Sequence, residues 1–448
     1  MSYRAWPSFL FLAICGVGLL GAGLAQAREQ EPRQCPEGLP AETRCWSGQD
    51  ANGAYYWVAI PQAWNGSLIV HSHGGPRLKP PQRDDAVEDL QRFSVSVAEG
   101  FAWTGSNYRR AGYGVRSAAE DTDNLRQIFW RTFGRPKHTL LHGQSWGGNV
   151  AAKTAELYGK GADGKPVYDG VILTSGVLGG GTRSYDFRAD LRAVYQYYCG
   201  NHPEPTEPAY PLWQGLSPGA TLTNKALDAR INACTGVDLP AAQRSPAQAR
   251  NLANILAVIR IPEHTLTSHM GWATFTFADL VNARLDGKSP FSNIGVIYKG
   301  SDDDAALNRG VARFKADRGA VRQLAEDSDL TGKLTVPTLT MHAIDDPTAF
   351  VELERTFHDT VVKAGVGDLL VQSFTDEHDH SKLATPEYAA LLRAMTAWIE
   401  RGEKPSPASL AAGCQAAVAT YGEACHFQID YQPDKLSKRS YPRRKPGL

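Results

Sequence analysis

The chain has no surplus of either charge: lysine and arginine together number 47, and so do aspartate and glutamate. Without a basic excess there is no electrostatic ground for binding nucleic acid, and the balance gives none for a strongly charged substrate. Cys-x-x-Cys does not occur anywhere, which argues against clustered zinc ligands and a thioredoxin-type redox centre. No repeat of solenoid period runs along the chain. Across residues 178–333 there is no series of apolar, strand-like runs, so a sheet cannot continue through that stretch. What remains is a chain of 448 residues with 42% hydrophobic content. That is enough for a sizeable core and a large insertion.

The first 27 residues read as a secretory signal peptide. Arg4 supplies the positive end, an apolar, Gly-rich run follows, and Ala25-Gln26-Ala27 gives the small-x-small cleavage pattern. The mature chain is expected to start at Arg28, with no stable membrane span after signal removal and a secreted or periplasmic location. Cys15 leaves with the signal, and six cysteines remain. Loop-closure entropy favours near neighbours, so the expected disulfides are Cys35 with Cys45, Cys199 with Cys234 and Cys414 with Cys425. Such bridges belong to an oxidising compartment. The basic C-terminal residues (Lys435, Lys438, Arg439, Arg443, Arg444, Lys445) read as a solvated tail.

Apolar, β-branched runs predict strands at Tyr55–Ile60, Ser67–Ser72, 101–106, near Leu140, at Gly170–Thr174, 336–341 and 369–374. Helical spacing is expected at 89–99, 120–133, 151–157, 352–362 and 386–399. Strands alternating with helices predict an α/β fold with a mainly parallel sheet flanked by helices. The stretch between the two strand series reads as a mostly helical insertion, with helices expected at 224–234, Pro246–Ile259 and 305–327. The expected organisation is a core in two parts (28–178 and 334–403), an insertion (179–333) and a Cys-bearing extension (404–448).

The segment that carries chemistry is Gly143-Gln144-Ser145-Trp146-Gly147. Alone it is compatible with an incidental serine in a Gly-rich turn. Its context gives it weight: an apolar strand-like run precedes it and Gly148-Asn149-Val150-Ala151-Ala152 opens a helix. Flanking glycines let strand and helix approach closely and hold a serine with its hydroxyl exposed at a helix N-terminus. Such a hydroxyl suits attack on a carbonyl carbon.

A serine nucleophile needs a base, an acid that orients the base, and donors for the oxyanion. The acid is sought after the strand that follows the insertion. There Asp345-Asp346-Pro347 stands, with Asp346 the first choice and Asp345 the reserve. The base is sought after the last core strand, in Thr375-Asp376-Glu377-His378-Asp379-His380. His380 is the first choice because it lies closest before the terminal helix, with His378 in reserve. Neutral imidazole can accept the serine proton near neutral pH. Glu377, His378, Asp379 and His380 could instead hold a metal, but no other histidine pair at ligand spacing supports that, and no metal or other cofactor is expected. The oxyanion donors are expected to be the backbone N–H of Trp146 and that of Gly75, or alternatively Gly74, in His73-Gly74-Gly75-Pro76.

Taken together, these residues resemble the α/β-hydrolase superfamily in the chain order Ser145, Asp346, His380. The resemblance covers about residues 55–178 and 336–402, with the insertion where that superfamily places its cap. Asn107 to Tyr113 and the helix after it look like secreted bacterial members. His73-Gly74-Gly75-Pro76 is similar to exopeptidase-type members, although Arg77 replaces the glycine that usually follows, and Asp379 stands where a glycine is common. The resemblance implies the α/β-hydrolase fold and serine hydrolysis of an ester or amide. A carboxylic ester is the expected substrate, with an aminopeptidase or amidase as the alternative and a non-catalytic binding module on this scaffold as a further one. The expected partner is a small-molecule or peptide substrate, which the insertion would select through Trp213, His264, His269, Trp272, Phe275 or Phe277, with Tyr108 at the sheet's edge. Reading a free N-terminus would require cap carboxylates, for which Asp302, Asp303 and Asp304 are available.

Overall fold

The computed structural model describes residues 28–443. The expected signal peptide, and Arg444 and Lys445 of the tail, lie outside the described residues.

Nine strands form one sheet: β1 (Arg28–Arg33), β2 (Arg44–Gln49), β3 (Tyr55–Ile60), β4 (Ser67–Ser72), β5 (Ala102–Ser106), β6 (His138–Gln144), β7 (Gly170–Thr174), β8 (Thr338–Ala343) and β9 (Leu370–Thr375). Their spatial order is β1-β2-β3-β5-β4-β6-β7-β8-β9. β4 to β9 run parallel, and β1 to β3 form an antiparallel edge. The crossover in which β5 sits between β3 and β4, together with the parallel run that follows, is the sheet of the α/β-hydrolase fold. Strand residues alternate between the two faces, as the period of two requires. On β4, Leu68 and Val70 join the core beneath the helices Val115–Phe133, Trp146–Tyr158 and Glu352–Lys363. Ile69 points to the opposite core, which holds Trp103, Leu140, Met341 and residues of the helix Thr385–Arg401.

Between β7 and β8 the chain leaves the sheet and builds a helical body whose apolar core is continuous with Val115, Ala118, Trp146 and Val150 of the sheet-flanking helices and with Ala349 and Phe350 of the turn after β8. The helices Asn224–Thr235 and Pro246–Ile259 stand where helical spacing predicts them. The single helix expected over 305–327 is two, Asp304–Gly310 and Arg318–Ser328. Asp303 and Asp317 each accept a backbone N–H three residues on, at 2.8 and 2.9 Å, so each starts a new helix. The helix Asp186–Cys199 escaped the sequence reading. Its apolar residues Phe187, Leu191 and Val194 recur at helical spacing, but buried Arg188, Asp190 and Arg192 sit between them and disguise the inward face. The helical span expected over 89–99 is likewise divided, into Val87–Arg92 and Ser94–Ala98.

Both ends of the described chain are more ordered than their composition suggests. β1 and β2 extend the sheet, and the helix Pro407–Tyr421 packs along Thr385–Arg401. Disulfides join Cys35 to Cys45, Cys199 to Cys234 and Cys414 to Cys425. The C-terminal segment is exposed at Lys435 and Lys438, as expected, but docked at its end: Tyr441 donates to the carbonyl of Val258 at 2.9 Å, and Arg443 pairs with Asp190 at 2.8 Å. The sequence reading missed this because the partners lie some 180 and 250 positions back in the chain.

Candidate active site

β6 ends at Gln144, and the helix Trp146–Tyr158 begins two residues later. Ser145 makes the whole turn, with φ 58° and ψ −126°. That conformation is strained for a residue with a side chain and is held from both sides. Its N–H donates to the carbonyl of Thr174 at 3.0 Å, and its own carbonyl accepts from Gly148 and Val177. The neighbouring glycines are required by contact. A Cβ on Gly143 would lie 2.1 Å from the carbonyl oxygen of Gly147, and one on Gly147 would lie 2.1 Å from that of Ser72.

The turns after β8 and β9 bring an imidazole and a carboxylate to this serine. His380 Nε2 lies 2.7 Å from Ser145 Oγ, and His380 Nδ1 lies 2.7 Å from Asp346 Oδ2. An ionised carboxylate only accepts, so Nδ1 carries the proton and Nε2 is free to accept from the hydroxyl. Asp346 is fully buried. Its Oδ1 accepts the backbone N–H groups of Thr348 and Ala349 at 2.8 and 2.9 Å. Burial alone would raise its pKa, but His380 and His342 hold it well below the usual carboxylate range.

His342 extends this chain inward. Its Nε2 donates to the carbonyl of Ala349 at 2.6 Å and lies 3.5 Å from Asp346, while Nδ1 faces Glu354 at 3.2 Å. Burial opposes a charge here, yet the two carboxylates raise its pKa to about 10. An imidazolium thus sits between Asp346 and Glu354. The sequence reading passed over His342 because it lies inside a strand, where a histidine reads as core. Glu354, twelve residues on in the next helix, was the only available signal.

The loop His73-Gly74-Gly75-Pro76 crosses beside the serine turn. A Cβ on Gly74 would meet Gln144 Oε1 at 2.8 Å, and Gly75 has φ +71°. No backbone hydrogen bond among the described residues uses the N–H of either glycine. Trp146 is the first residue of its helix, where N–H groups have no partner within the helix. His73 anchors the loop: Nδ1 donates to buried Asp89 at 2.5 Å, and Nε2 accepts from Arg77 Nε at 2.9 Å. Arg77, the departure from the resembled pattern, therefore fixes the tautomer of the histidine that opens the loop.

Gly74, Gly75, Ser145, Trp146 and His380 all line one cavity of about 340 Å³. The insertion closes its other side with Ser184, Tyr185, Arg188 and Trp272, while Arg92 and Thr348 come from the core. Of the insertion side chains singled out from sequence, Trp272 alone lines this cavity. Trp213 and Phe275 pack against the insertion's core, Phe277 is buried in it and His264 is exposed. His269 is buried and ties the insertion to the acid turn through the carbonyl of Pro347, at 3.0 Å. Tyr108 is buried and donates to the carbonyl of His73 at 2.9 Å. Tyr185 and Arg188 were missed with their helix.

The reserve residues meet each other instead of Ser145. His378 Nδ1 lies 3.1 Å from Asp345 Oδ2, with both side chains exposed. Asp379 pairs with Lys382 at 2.8 Å, and Glu377 is nearest His426. Among the described residues no group of three or more His, Cys, Asp or Glu is arranged to hold a metal ion. Asp302 pairs with Arg250, while Asp303 and Asp304 bond backbone groups at a helix start, all away from the cavity. No described helix is long and apolar enough to cross a membrane.

No family model matches the chain, and no curated protein matches it in sequence. Solved structures similar to it include the rice cell wall degrading esterase LipA from Xanthomonas oryzae, at 13% identity and TM-score 0.41, covering 84% of this chain and 97% of that one. An esterase from Aspergillus oryzae matches at 12% identity and TM-score 0.42, over 85% of this chain and 88% of its own. Feruloyl esterase B from Aspergillus oryzae matches at 13% identity and TM-score 0.39, over 86% and 88%. At such identities the likeness concerns the fold.

Proposed function

We propose that this chain is a serine hydrolase that cleaves carboxylic esters through an acyl-enzyme on Ser145. The observation that carries the reading is the continuous line Ser145 Oγ, His380, Asp346, with both links at 2.7 Å. Ser145 attacks the carbonyl carbon while His380 Nε2 takes its proton and then returns it to the leaving oxygen. Asp346 holds the imidazole in the tautomer this requires. The N–H of Trp146 and that of Gly75 or Gly74 receive the oxyanion, a contact worth about 3–4 kcal/mol in the transition state. Water activated by His380 then releases the acid. None of these steps requires a cofactor.

An ester is favoured over a peptide with a free N-terminus because no carboxylate lines the cavity to receive an ammonium group. The three disulfides support export to an oxidising compartment, periplasmic or extracellular. The test is a fluorophosphonate probe followed by a substrate panel. Labelling of Ser145, with turnover of p-nitrophenyl esters, is expected. Absence of labelling in folded protein would favour a binding module on this scaffold, and turnover of aminoacyl-anilides without esters would overturn the ester reading.

A further inference from the structure

Arg188 lies on the insertion helix Asp186–Cys199 and lines the cavity that holds Ser145. It is 4% exposed, and its Nε has no hydrogen-bond partner. Among the described residues no carboxylate pairs with it. Asp346, the acid whose charge acts on it, is already engaged by His380, Thr348 and Ala349. Other buried charges on the same helix have more partners: Asp190 meets Arg443 and Tyr298, and Arg192, whose Nε is likewise unpartnered, donates through a terminal nitrogen to the carbonyl of His202. The Arg188 guanidinium is instead held between aromatic faces, 4.6 Å from the ring centres of Phe187 and Trp272 and 5.6 Å from that of Tyr185. Tyr185 and Trp272 stack on each other at 4.3 Å beside the cation. Burial lowers its pKa to about 10, which leaves it charged at neutral pH.

A buried, unpaired cation is a standing penalty that aromatic contacts offset only in part. Its planar fork matches a carboxylate, and a substrate is what enters this cavity. Exposed Arg92, donating to the carbonyl of Ser381, adds a second positive charge to the same lining.

We infer that Arg188 is a specificity-determining residue that receives a carboxylate carried by the substrate, so that the preferred substrates are esters with a free carboxylate on the acyl or the leaving-group side. The inference rests on the serine-hydrolase reading and sharpens it. Balanced net charge does not oppose it, because one desolvated arginine acts locally, whatever the charges elsewhere on the surface.

The test compares kcat/KM for mono-p-nitrophenyl glutarate with that for neutral p-nitrophenyl pentanoate, and for 4-carboxyphenyl pentanoate with phenyl pentanoate. One anionic partner is expected to be preferred by about tenfold to hundredfold, the size of a charged hydrogen-bonded contact. Whichever pair shows the preference identifies the side that carries the carboxylate. The preference is expected to collapse in Arg188→Met and to return in part in Arg188→Lys. Equal rates on both pairs, or a preference unchanged in Arg188→Met, would overturn it. Should Arg188→Met not fold, the wild-type preference and Arg188→Lys still decide. A readout independent of turnover is calorimetric binding of glutarate to Ser145→Ala, expected to be lost in Ser145→Ala/Arg188→Met. Glutarate binding that depends on Arg188, without ester cleavage, would sink the hydrolase reading and keep the anion site. Ester cleavage with no anion preference and no glutarate binding would do the reverse.

Discussion

Two aspartate–histidine pairs stand side by side in this protein. Asp346 faces His380 at 2.7 Å, and Asp345 faces His378 at 3.1 Å. The acids are adjacent in sequence, and the bases are two residues apart. Yet the Asp346 side chain is 0% exposed and that of His380 23%, whereas Asp345 and His378 are 65% and 82% exposed. The first pair is held by backbone N–H groups, by His342 and by Ser145. The second is solvated and screened, where such pairs contribute little. Residue type and spacing create both pairs. Burial and a third partner, Ser145, distinguish only one of them, the pair to which the proposed proton transfer is assigned.

The comparison breaks most sharply at the bases. If His380 serves Ser145, His380→Ala should lower kcat on a p-nitrophenyl ester by about a million-fold, the size seen when a triad base is removed. His378→Ala should leave kcat within about twofold, and equal losses would merge the two pairs in function. At the acids, Asp346→Asn should lower kcat by about 10,000-fold, because an amide donates where the imidazole needs an acceptor and so favours the wrong tautomer. Asp345→Asn should change it little, with unfolding free energy altered by about 0.5 kcal/mol or less.

The smallest effect concerns how the buried pair depends on pH. The folded pKa of His342 lies at about 10, above its unfolded value of 6.5. Its contribution to stability is therefore complete below pH 6.5 and is lost as pH rises toward about 10. Asp346, depressed in the fold, behaves oppositely: its contribution is present above its unfolded value of 3.8 and is lost in acid. Urea unfolding between pH 6 and 10 should show the alkaline loss in wild type and a flatter profile in His342→Gln. Identical profiles would remove the imidazolium from behind Asp346.

Much of the core was legible because its signals are local. The runs at Tyr55–Ile60, Ser67–Ser72 and Gly170–Thr174 are apolar and β-branched, and each is a strand with those bounds. The Gly-flanked serine marks its own turn, since a Cβ at Gly143 or Gly147 would collide with backbone carbonyl oxygens. The helix Asp186–Cys199 was illegible for the opposite reason. It is buried on every side from Phe187 to Tyr195, with Arg188, Asp190 and Arg192 included, and binary patterning assigns charged residues to solvent. The N-terminal strands, the edge strand β1 and its neighbour β2, were missed because short polar strands owe their existence to the strands beside them. His342 and Glu354 were missed because a buried ion pair leaves no periodic trace.

The amino-acid order determined the elements whose reasons are local: which runs become central strands, where glycine permits a sharp turn, and which residue types could share a proton. Tertiary structure decided which of two neighbouring aspartates is sealed from water, which of two histidines reaches the serine, and where a lone arginine comes to rest. Those outcomes depend on desolvation and on distances near 3 Å between segments up to 235 residues apart. Neither quantity exists along a chain until it folds.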